Sequence, residues 1–376
     1  MKISVKREDL AQGLRAVARA ISSRTTLPVL SNVLVATDED RLRLSATDLE
    51  LAITAWVPAK VEEEGATTVP ARTFSDLVGI LPEGLLRLTY DESKRTLHVH
   101  GGASETDIRC IEADEFPPLP TPELTQGVVV SVGDFREMVQ QVVFAASADD
   151  ARPVLTGVLL EVSGDTLTAA ASDGYRLSVR KLAVENGAAE PFSLIVPARA
   201  LSEVARAVRD GDETIVMVSP PGRGQVVFRV GDDVEIVSQL IEGQYPPYEQ
   251  IIPTGYRTRT AVPTAAFVKA CKQAEIFARE GSQSTRLEIT PGGDVPGELR
   301  ISAASEETGS SQATLTATVE GEPIVIAFNV RYLREALEAI RTPEVALETT
   351  APASPGVLRP VGASDFVHII MPMHLS

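Results

Sequence analysis

The sequence predicts an α+β protein made of three repeated domains, because the chain repeats itself at long intervals. The motif VPAR at 69–72 recurs at 196–199, and a weaker copy, FNVR, stands at 328–331. The motif PVL at 28–30 likewise recurs at 153–155. Repeats of roughly 20–50 residues are typical of solenoids, whereas a period of about 125 residues is a common size for a whole domain. Three like domains in a row indicate a curved or ring-shaped assembly.

The first repeat is expected to open with a strand and an amphipathic helix. Residues 2–6 alternate as a strand does, and Asp9 is expected to cap the helix. The apolar residues of this helix recur at spacings of three and four: Leu10, Leu14, Val17 and Ile21. Strands are then expected at 33–36, 41–45 and 51–57.

The second half of the repeat shows the same order. Pro70 stands just before a helix expected at 73–81, and the sequence PEG at 82–84 ends that helix. Further strands are expected at 86–90, 96–100 and 106–111. Proline-rich linkers near 117–122 and 253–255 then separate the domains, which we place at 1–123, 124–255 and 256–376.

Composition indicates a soluble globular protein with a net charge of −17. The first residues carry no apolar core of a signal peptide, and no apolar run is long enough to span a membrane, so we expect a cytoplasmic location. Cys110 and Cys271 lie in apolar patterns of different repeats, which favours buried free thiols over a disulfide.

The negative net charge argues against nucleic acid at first sight, but a local patch decides binding. Basic residues gather on the expected helices, while acidic residues gather at turns and outer strands. We therefore take the basic residues of these helices and their flanks as candidate DNA contacts: Arg15, Arg19, Arg24, Arg72, Arg199, Arg206, Lys269, Lys272 and Arg334. A solvated helix face is the alternative interpretation of each.

The motifs of common enzymes are absent. No phosphate loop, nucleophile elbow, HExxH or CxxC motif occurs, so we expect no catalytic residue, no metal and no cofactor. His98 and His100 share one face of an expected strand and are interpreted as surface residues. Asp48 and Asp173 occupy matching repeat positions, where a turn-capping role is expected rather than acid–base catalysis.

Four dispersed motifs carry a resemblance to a known family. They are RTTLPVL at 24–30, SDGYRL at 172–177, YPPY at 245–248 and MPMHL at 371–375. Together they resemble the bacterial sliding clamps, the beta subunits of DNA polymerase III, over the chain from Met1 to Leu375. The resemblance implies the DNA clamp fold, in which two three-domain chains close head to tail into a six-domain ring around duplex DNA. Arg19, Arg24 and Lys272 are then expected to face the hole.

The resemblance also implies a cleft between domains two and three that binds short peptides of the replicative polymerase, the clamp loader, repair polymerases and mismatch-repair proteins. The matching positions are Leu155, Ser172, Gly174, Tyr175, Arg176, Leu177, Pro246, Gln250, Ile251, Ile369, Met371, Pro372, Met373 and His374. His374 stands where the family often has arginine, Gln250 replaces a commonly basic residue, and Ser376 follows the usual terminal leucine. A plain interdomain core is the alternative interpretation.

The dimer contact implied by the resemblance joins the last strand of domain one to the start of domain three. It involves Thr106 and Ile108 of one chain and Ile276 and Phe277 of the other. An enzyme is disfavoured by the missing catalytic motifs. A three-domain interaction scaffold that never encircles DNA remains the alternative function.

Overall fold

The computed structural model describes residues 1–22, 26–120, 127–209, 211–220, 222–279 and 283–374. The chain divides into two compact units. Unit 1 contains Met1–Phe135, Val184–Asn186 and Arg199–Leu240, and unit 2 contains Arg136–Ala183, Gly187–Ala198 and Ile241–Ser376. The boundary between the two units therefore falls within the central repeat.

The helices of the described residues come as two per repeat, which confirms the predicted order. They are α1 (Arg7–Val17), α2 (Ala71–Ile80), α3 (Val132–Val142), α4 (Ala198–Ala207), α5 (Thr264–Ala278) and α6 (Val330–Ala339). The prediction that Asp9 caps α1 is wrong. The helix begins at Arg7, directly after the first strand, and Asp9 lies in its first turn. Ile21 likewise lies beyond the end of α1.

The strands of the first two repeats alternate with these helices. In the first repeat they are β1 (Lys2–Lys6), β2 (Asn32–Asp38), β3 (Arg41–Thr47), β4 (Leu51–Glu63), β5 (Ala66–Pro70), β6 (Leu85–Asp91), β7 (Thr96–Gly101) and β8 (Ser104–Arg109). In the second they are β9 (Val128–Ser131), β10 (Gly157–Ser172), β11 (Arg176–Pro197), β12 (Thr214–Val218), β13 (Gln225–Val230) and β14 (Val234–Gln239).

The third repeat follows the same plan. Its strands are β15 (Thr258–Pro263), β16 (Ser284–Thr290), β17 (Gly297–Ser305), β18 (Gly309–Gly321), β19 (Ile324–Asn329), β20 (Glu344–Thr349), β21 (Gly356–Pro360) and β22 (Phe366–Ile370). Each repeat is therefore a doublet of strand, helix and antiparallel strands, as the sequence predicts.

Unit 1 contains two antiparallel sheets that share β4. One has the order β8-β7-β6-β1-β4. The other has the order β5-β2-β3-β4-β14-β13-β12-β9. The pairing of β4 with β14 joins the first repeat to the second through backbone hydrogen bonds. Ala52 stands opposite Val237 in that pairing.

Unit 2 repeats this arrangement. One sheet has the order β10-β11-β22-β21-β20-β15-β18, and a second has the order β18-β17-β16-β19. Here β11 of the second repeat pairs with β22 of the third, and Leu177 stands opposite Ile369. Two successive repeats are thus joined each time by an antiparallel strand pair at the same repeat position.

Apolar side chains from helices and sheets form the cores. In unit 2 the large cluster contains Phe267 and Cys271 of α5, Leu333 and Leu337 of α6, and Phe328 of β19, all fully buried or nearly so. Cys271 and Cys110 are free thiols, as predicted, but Cys110 is only half-buried. Burial raises the pKa of both thiols, so both are held in the unreactive protonated form.

Candidate functional site

A tight turn joins β10 to β11 and begins the candidate cleft in unit 2. The carboxylate oxygen Oδ1 of Asp173 accepts hydrogen bonds from the backbone N–H groups of Tyr175 (2.9 Å) and Arg176 (3.1 Å). Gly174 sits in the turn with a φ of +93°, a conformation that favours glycine. In the first repeat, Asp48 accepts equivalent bonds from the N–H groups of Glu50 and Leu51. The predicted turn-capping role is therefore confirmed at both positions.

Arg176 is buried beneath this turn and is held on every side. Its Nε donates to Asp173 (3.0 Å), one terminal nitrogen binds the Glu335 carboxylate, and the other donates to the carbonyl of Phe144 (2.6 Å). The guanidinium carbon also lies 4.2 Å from the ring centroid of Tyr332. A side chain with these contacts fixes the turn against α6.

Glu335 on α6 is shared by two arginines. It also accepts a hydrogen bond from Arg331 at 2.8 Å. Burial alone would raise the pKa of Glu335, but hydrogen bonds from Arg176 and Arg331 outweigh it and hold the pKa below its ordinary value. This partly buried carboxylate therefore stays ionised and keeps Arg176 in place.

The floor of the candidate cleft is apolar and closed. Leu177 and Ile369 are 2% and 1% exposed, and they pack with Leu159, Val179 and Val357 in one cluster. The Tyr245 hydroxyl accepts a hydrogen bond from the Ser172 N–H group at 3.0 Å. Burial raises the pKa of Tyr245 to about 12, so this hydroxyl stays protonated.

The rim above this floor is exposed. Tyr175, Ile251 and Met371 are 62%, 45% and 40% exposed, which is unusual for large apolar side chains. The Met371 N–H donates to the Tyr175 carbonyl (2.9 Å), so these two residues are held side by side. Further exposed positions of the predicted site are Gly174, Pro246, Gln250 and His374. A buried core alone does not account for such a rim.

The C-terminal segment lines two small cavities of unit 2. One, of about 240 Å³, lies between Pro352, Ala353, Pro372, Met373 and His374. The other, of about 280 Å³, contains Arg286 and several serines and is also lined by His374. The Met373 N–H donates to the Ala327 carbonyl (2.8 Å), which anchors this segment to β19.

Sequence reasoning missed part of this site. Leu155 is not in the floor cluster, whereas its neighbour Val154 packs against it together with Tyr245 and Ile252. The YPPY repeat could have indicated Tyr245, because its partner motif begins with Phe116. No sequence signal marks Pro352 and Ala353.

The candidate DNA contacts differ in how free their charges are. Arg15 and Lys269 are exposed and have no ion pair within the described ranges. Arg72 is 95% exposed, with only a 3.9 Å approach to Asp76. Arg24 lies outside the described residues.

The remaining candidates are paired with acidic residues. Arg19 and Arg206 both contact Glu203, at 3.4 Å and 2.6 Å. Lys272 contacts Glu338 at 2.9 Å. Arg334 is 20% exposed and binds both Glu275 and Glu338 at 2.6 Å.

Arg199 is also engaged, although half of its side chain is exposed. It binds Asp48 at 2.7 Å and donates to the carbonyl of Arg19 at 2.9 Å. Such pairs reduce the charge that each arginine offers to a distant phosphate.

The candidate dimer residues differ in exposure, and Ile108, at 6% exposed, is buried in the core of unit 1. Thr106 and Ile108 belong to β8, which pairs with β7 on one side and with no other strand of the described chain. Ile276 on α5 is 60% exposed, and Phe277 is half-buried. Ile80 at 82% and Leu85 at 64% are further exposed apolar residues of unit 1 that sequence reasoning missed.

Within the described part of the chain, no group of three or more His, Cys, Asp or Glu residues could hold a metal ion. His98 and His100 lie on the surface, as predicted, and contact Asp107 and Glu105. No described helix is both long and apolar enough to cross a membrane.

Comparison with known proteins identifies the family. The profiles of the DNA polymerase III beta subunit match in chain order: the N-terminal domain at residues 1–120, the central domain at 129–247 and the C-terminal domain at 249–374. The chain belongs to the DNA polymerase III beta subunit family. Members of this family are the bacterial beta sliding clamps, so the predicted family and the predicted clamp fold of three domains are confirmed.

Curated relatives and solved structures agree. The beta sliding clamp of Synechococcus elongatus is 37% identical over the full length of both chains, and that of Staphylococcus aureus is 31% identical over 99% of both. The sliding clamp of Bacillus subtilis superposes with a TM-score of 0.94 at 27% identity, covering both chains completely. A Pseudomonas aeruginosa clamp bound to griselimycin gives a TM-score of 0.92 at 29% identity over the same coverage.

The chain is therefore a DNA sliding clamp. A sliding clamp is an accessory subunit of DNA polymerase III and not an enzyme, which confirms the prediction of a non-catalytic protein.

Proposed function

We propose that two copies of this chain close head to tail into a ring that encircles duplex DNA without sequence specificity. The observation that carries the ring is a pair of unpaired strand edges. β8 of the first repeat has one free edge, and so does the first half of β18, which pairs only with β17 within the described residues. Unpaired edges of this kind are ready templates for strand addition.

The two free edges match the strands that already join successive repeats. β8 is the equivalent, in the first repeat, of β14 in the second and β22 in the third. β18 is the equivalent, in the third repeat, of β4 in the first and β11 in the second. Because the joins β4–β14 and β11–β22 are both antiparallel, we expect β8 of one copy to pair antiparallel with β18 of another. A contact that uses different surfaces of the same chain is heterologous, and it closes into a ring when the rotation allows.

Strand registers give the expected alignment of this seam. Ala52 pairs with Val237 across the first join and with Thr47 within its own hairpin. Leu177 likewise pairs with Ile369 across the second join and with Ser172 within its own hairpin. In the third repeat, the same hairpin position is Ser310, opposite Ala304. Thr106 pairs with Val99 on β7 in the way that Ile236 pairs with Phe228 on β13. The next residue on β8, Asp107, therefore matches Val237. Asp107 of one copy is therefore expected opposite Ser310 of another.

A disulfide cross-link tests this register. Replacing Asp107→Cys and Ser310→Cys should give a covalent dimer under mild oxidation, because opposed strand residues lie within disulfide reach. Asp107→Cys with Thr314→Cys is the matched control, since four residues along a strand move the thiol roughly 13 Å away. Equal cross-linking of both pairs, or of neither, would contradict the proposed seam.

We further propose that the free basic residues of the helices attract DNA diffusely. Six domains with two helices each would surround a hole of order 30 Å, wide enough for a B-form duplex and a layer of water. Arg15, Lys269 and Arg72 have the freest charges, while the paired arginines offer less. Weak phosphate attraction without base contacts suits a ring that must slide.

We also propose the Tyr175–Met371 rim and its Leu177–Ile369 floor as a peptide-binding cleft. Exposed apolar residues over a closed apolar floor suit the anchors of short linear motifs, and methionine adapts to different anchors. In this proposal Arg176 positions the turn instead of touching peptide. The partners are the replicative polymerase, the clamp loader and repair proteins of a cytoplasmic replication system. We propose in addition that the domain boundaries lie after residues 123 and 255.

A further inference from the structure

Unit 1 contains a cavity of about 490 Å³ whose lining, among the described residues, includes none of the candidate DNA, peptide or dimer residues. It lies between the extended segment 116–120 and the face of the sheet formed by β2, β3, β4 and β14. Its size falls within the range of sites for small ligands, which is roughly 300–1,000 Å³.

The second repeat shows what occupies the matching position there. The segment FPPL at 116–119 corresponds to YPPY at 245–248, so Leu119 stands where the second repeat has Tyr248. Tyr248 is 6% exposed and packs in one cluster with Leu159, Ala170, Val179 and Val367. Its hydroxyl donates to the Glu161 carboxylate at 2.7 Å.

The residues around Tyr248 have counterparts that line the open cavity of the first repeat. They are Leu34, Ser45, Thr54 and Glu235, which correspond to Leu159, Ala170, Val179 and Val367. The last match follows from strand register, since Glu235 stands opposite Thr54 as Val367 stands opposite Val179. Leu119 lines the edge of the cavity and packs against Ala52, Val227 and Val237. Among the described residues, no aromatic ring therefore fills the space in the first repeat that Tyr248 fills in the second.

The polar groups of the cavity define what can fill it. The Nε of Arg43 is buried and has no hydrogen-bond partner in the described protein, so it offers a donor to any occupant. Burial raises the pKa of the Glu235 carboxyl, although the guanidinium groups of Arg229 and Arg43 oppose this. Glu235 contacts Arg229 at 3.5 Å, and a second donor would stabilise its charged form. The Ser45 and Thr54 hydroxyls already bond to each other at 2.9 Å.

The charges of the lining balance. Arg43 and Arg229 face Glu235 and Asp38, so neither a free anion nor a free cation is favoured over a neutral group. A hydroxyl can accept from a guanidinium and donate to a carboxylate at the same time.

We propose that this cavity binds a phenolic ring, which takes the place that the Tyr248 ring takes in the second repeat. Its hydroxyl oxygen accepts a hydrogen bond from the Arg43 Nε, and its O–H group donates a hydrogen bond to the Glu235 carboxylate. A small phenol and the tyrosine side chain of a partner peptide present the same chemistry. The proposal is independent of ring closure and of the peptide cleft.

The sole tryptophan of the chain, Trp56, lines this cavity and reports on it. Titration of the full-length protein with 4-ethylphenol, excited at the red edge of tryptophan absorption, should change Trp56 fluorescence saturably. A second titration with the blocked tripeptide acetyl-Ala-Tyr-Ala-amide tests the peptide source. Saturable binding of either probe supports the site and shows whether a free phenol or a peptide tyrosine binds there. Binding of neither probe overturns the proposal.

Three variants locate the binding. Arg43→Met removes the unpaired donor and should weaken 4-ethylphenol about fivefold or more. Leu119→Tyr supplies the ring from the chain itself and should abolish binding. Arg41→Met is the matched control, because the Arg41 guanidinium carbon lies 5.6 Å from the Trp56 ring centroid but Arg41 does not line the cavity. This variant should bind 4-ethylphenol with the same affinity as the parent protein.

Two results would contradict the proposal even if Leu119→Tyr failed to fold. One is unchanged 4-ethylphenol affinity in Arg43→Met. The other is equal affinity for 4-ethyltoluene, which has a similar ring without the hydroxyl.

Discussion

The Nδ1 atom of His368 lies 2.6 Å from the Oγ atom of Ser178, across the strand pair that joins the second and third repeats. His368 is fully buried, and its ring stacks on that of Phe144 with centroids 5.4 Å apart. Its Nε2 has no hydrogen-bond partner among the described residues. Burial, with a smaller contribution from Arg176, lowers the pKa of His368 to about 3.

This histidine makes unit 2 sensitive to acid. The unfolded chain binds a proton at His368 below about pH 6.5, whereas the folded chain does so only near pH 3. Stability is therefore lost as pH falls through this window, by up to about 1.4 kcal/mol per pH unit. Denaturant unfolding at pH 7, 6 and 5 should show a smaller loss in His368→Gln than in the parent. The exposed His98→Gln is the control and should keep the parental slope, and equal slopes in all three proteins would contradict the assignment.

Arg176 should be required for folding far more than its neighbour Arg331. Arg176→Met leaves Asp173 and Glu335 without their buried partner, which should lower the free energy of unfolding by about 3–5 kcal/mol. Arg331→Met removes an exposed partner of the same Glu335 and should cost about 1 kcal/mol or less. Thermal and denaturant unfolding would compare them. Similar losses in both variants would refute the positioning role of Arg176.

The floor and the rim of the cleft should separate stability from peptide binding. Leu177→Ala removes a buried side chain and should cost about 2–5 kcal/mol of stability as well as peptide affinity. Met371→Ala removes an exposed side chain, so it should weaken a fluorescent clamp-binding peptide by tenfold or more with little loss of stability. The exposed Ile80→Ala is the control. Unchanged affinity in Met371→Ala would place the site elsewhere.

Ile276 should hold the dimer together. An exposed isoleucine at a subunit contact tolerates an aspartate in the monomer but not in the interface, so Ile276→Asp should halve the mass measured by light scattering. Val295→Asp changes a similarly exposed apolar residue of unit 2 and should leave the dimer intact. If Ile276→Asp remained dimeric and folded, the seam would lie elsewhere.

The repeat period predicted the doublet of helix and strands because local apolar spacing and proline positions determine those elements. It could not predict the Arg334–Glu275 pair, whose members lie 59 residues apart on two helices that meet only after packing. For the same reason the sequence motif places Arg176 among the peptide-binding residues, while folding buries it against the Tyr332 ring. The strand pairs that join repeats, such as β4 with β14, also depend on long-range register that no local pattern contains.

The central claim is that this clamp holds DNA by topology, and retention on circular DNA tests it most directly. The clamp would be loaded by its clamp loader and ATP onto a nicked plasmid, isolated by gel filtration, and then treated with a single-cutting nuclease. The clamp should stay on the circle at a salt concentration that abolishes electrostatic binding, and it should leave once the DNA is linear. Equal retention on circular and linear DNA, or loss from both at that salt concentration, would contradict it.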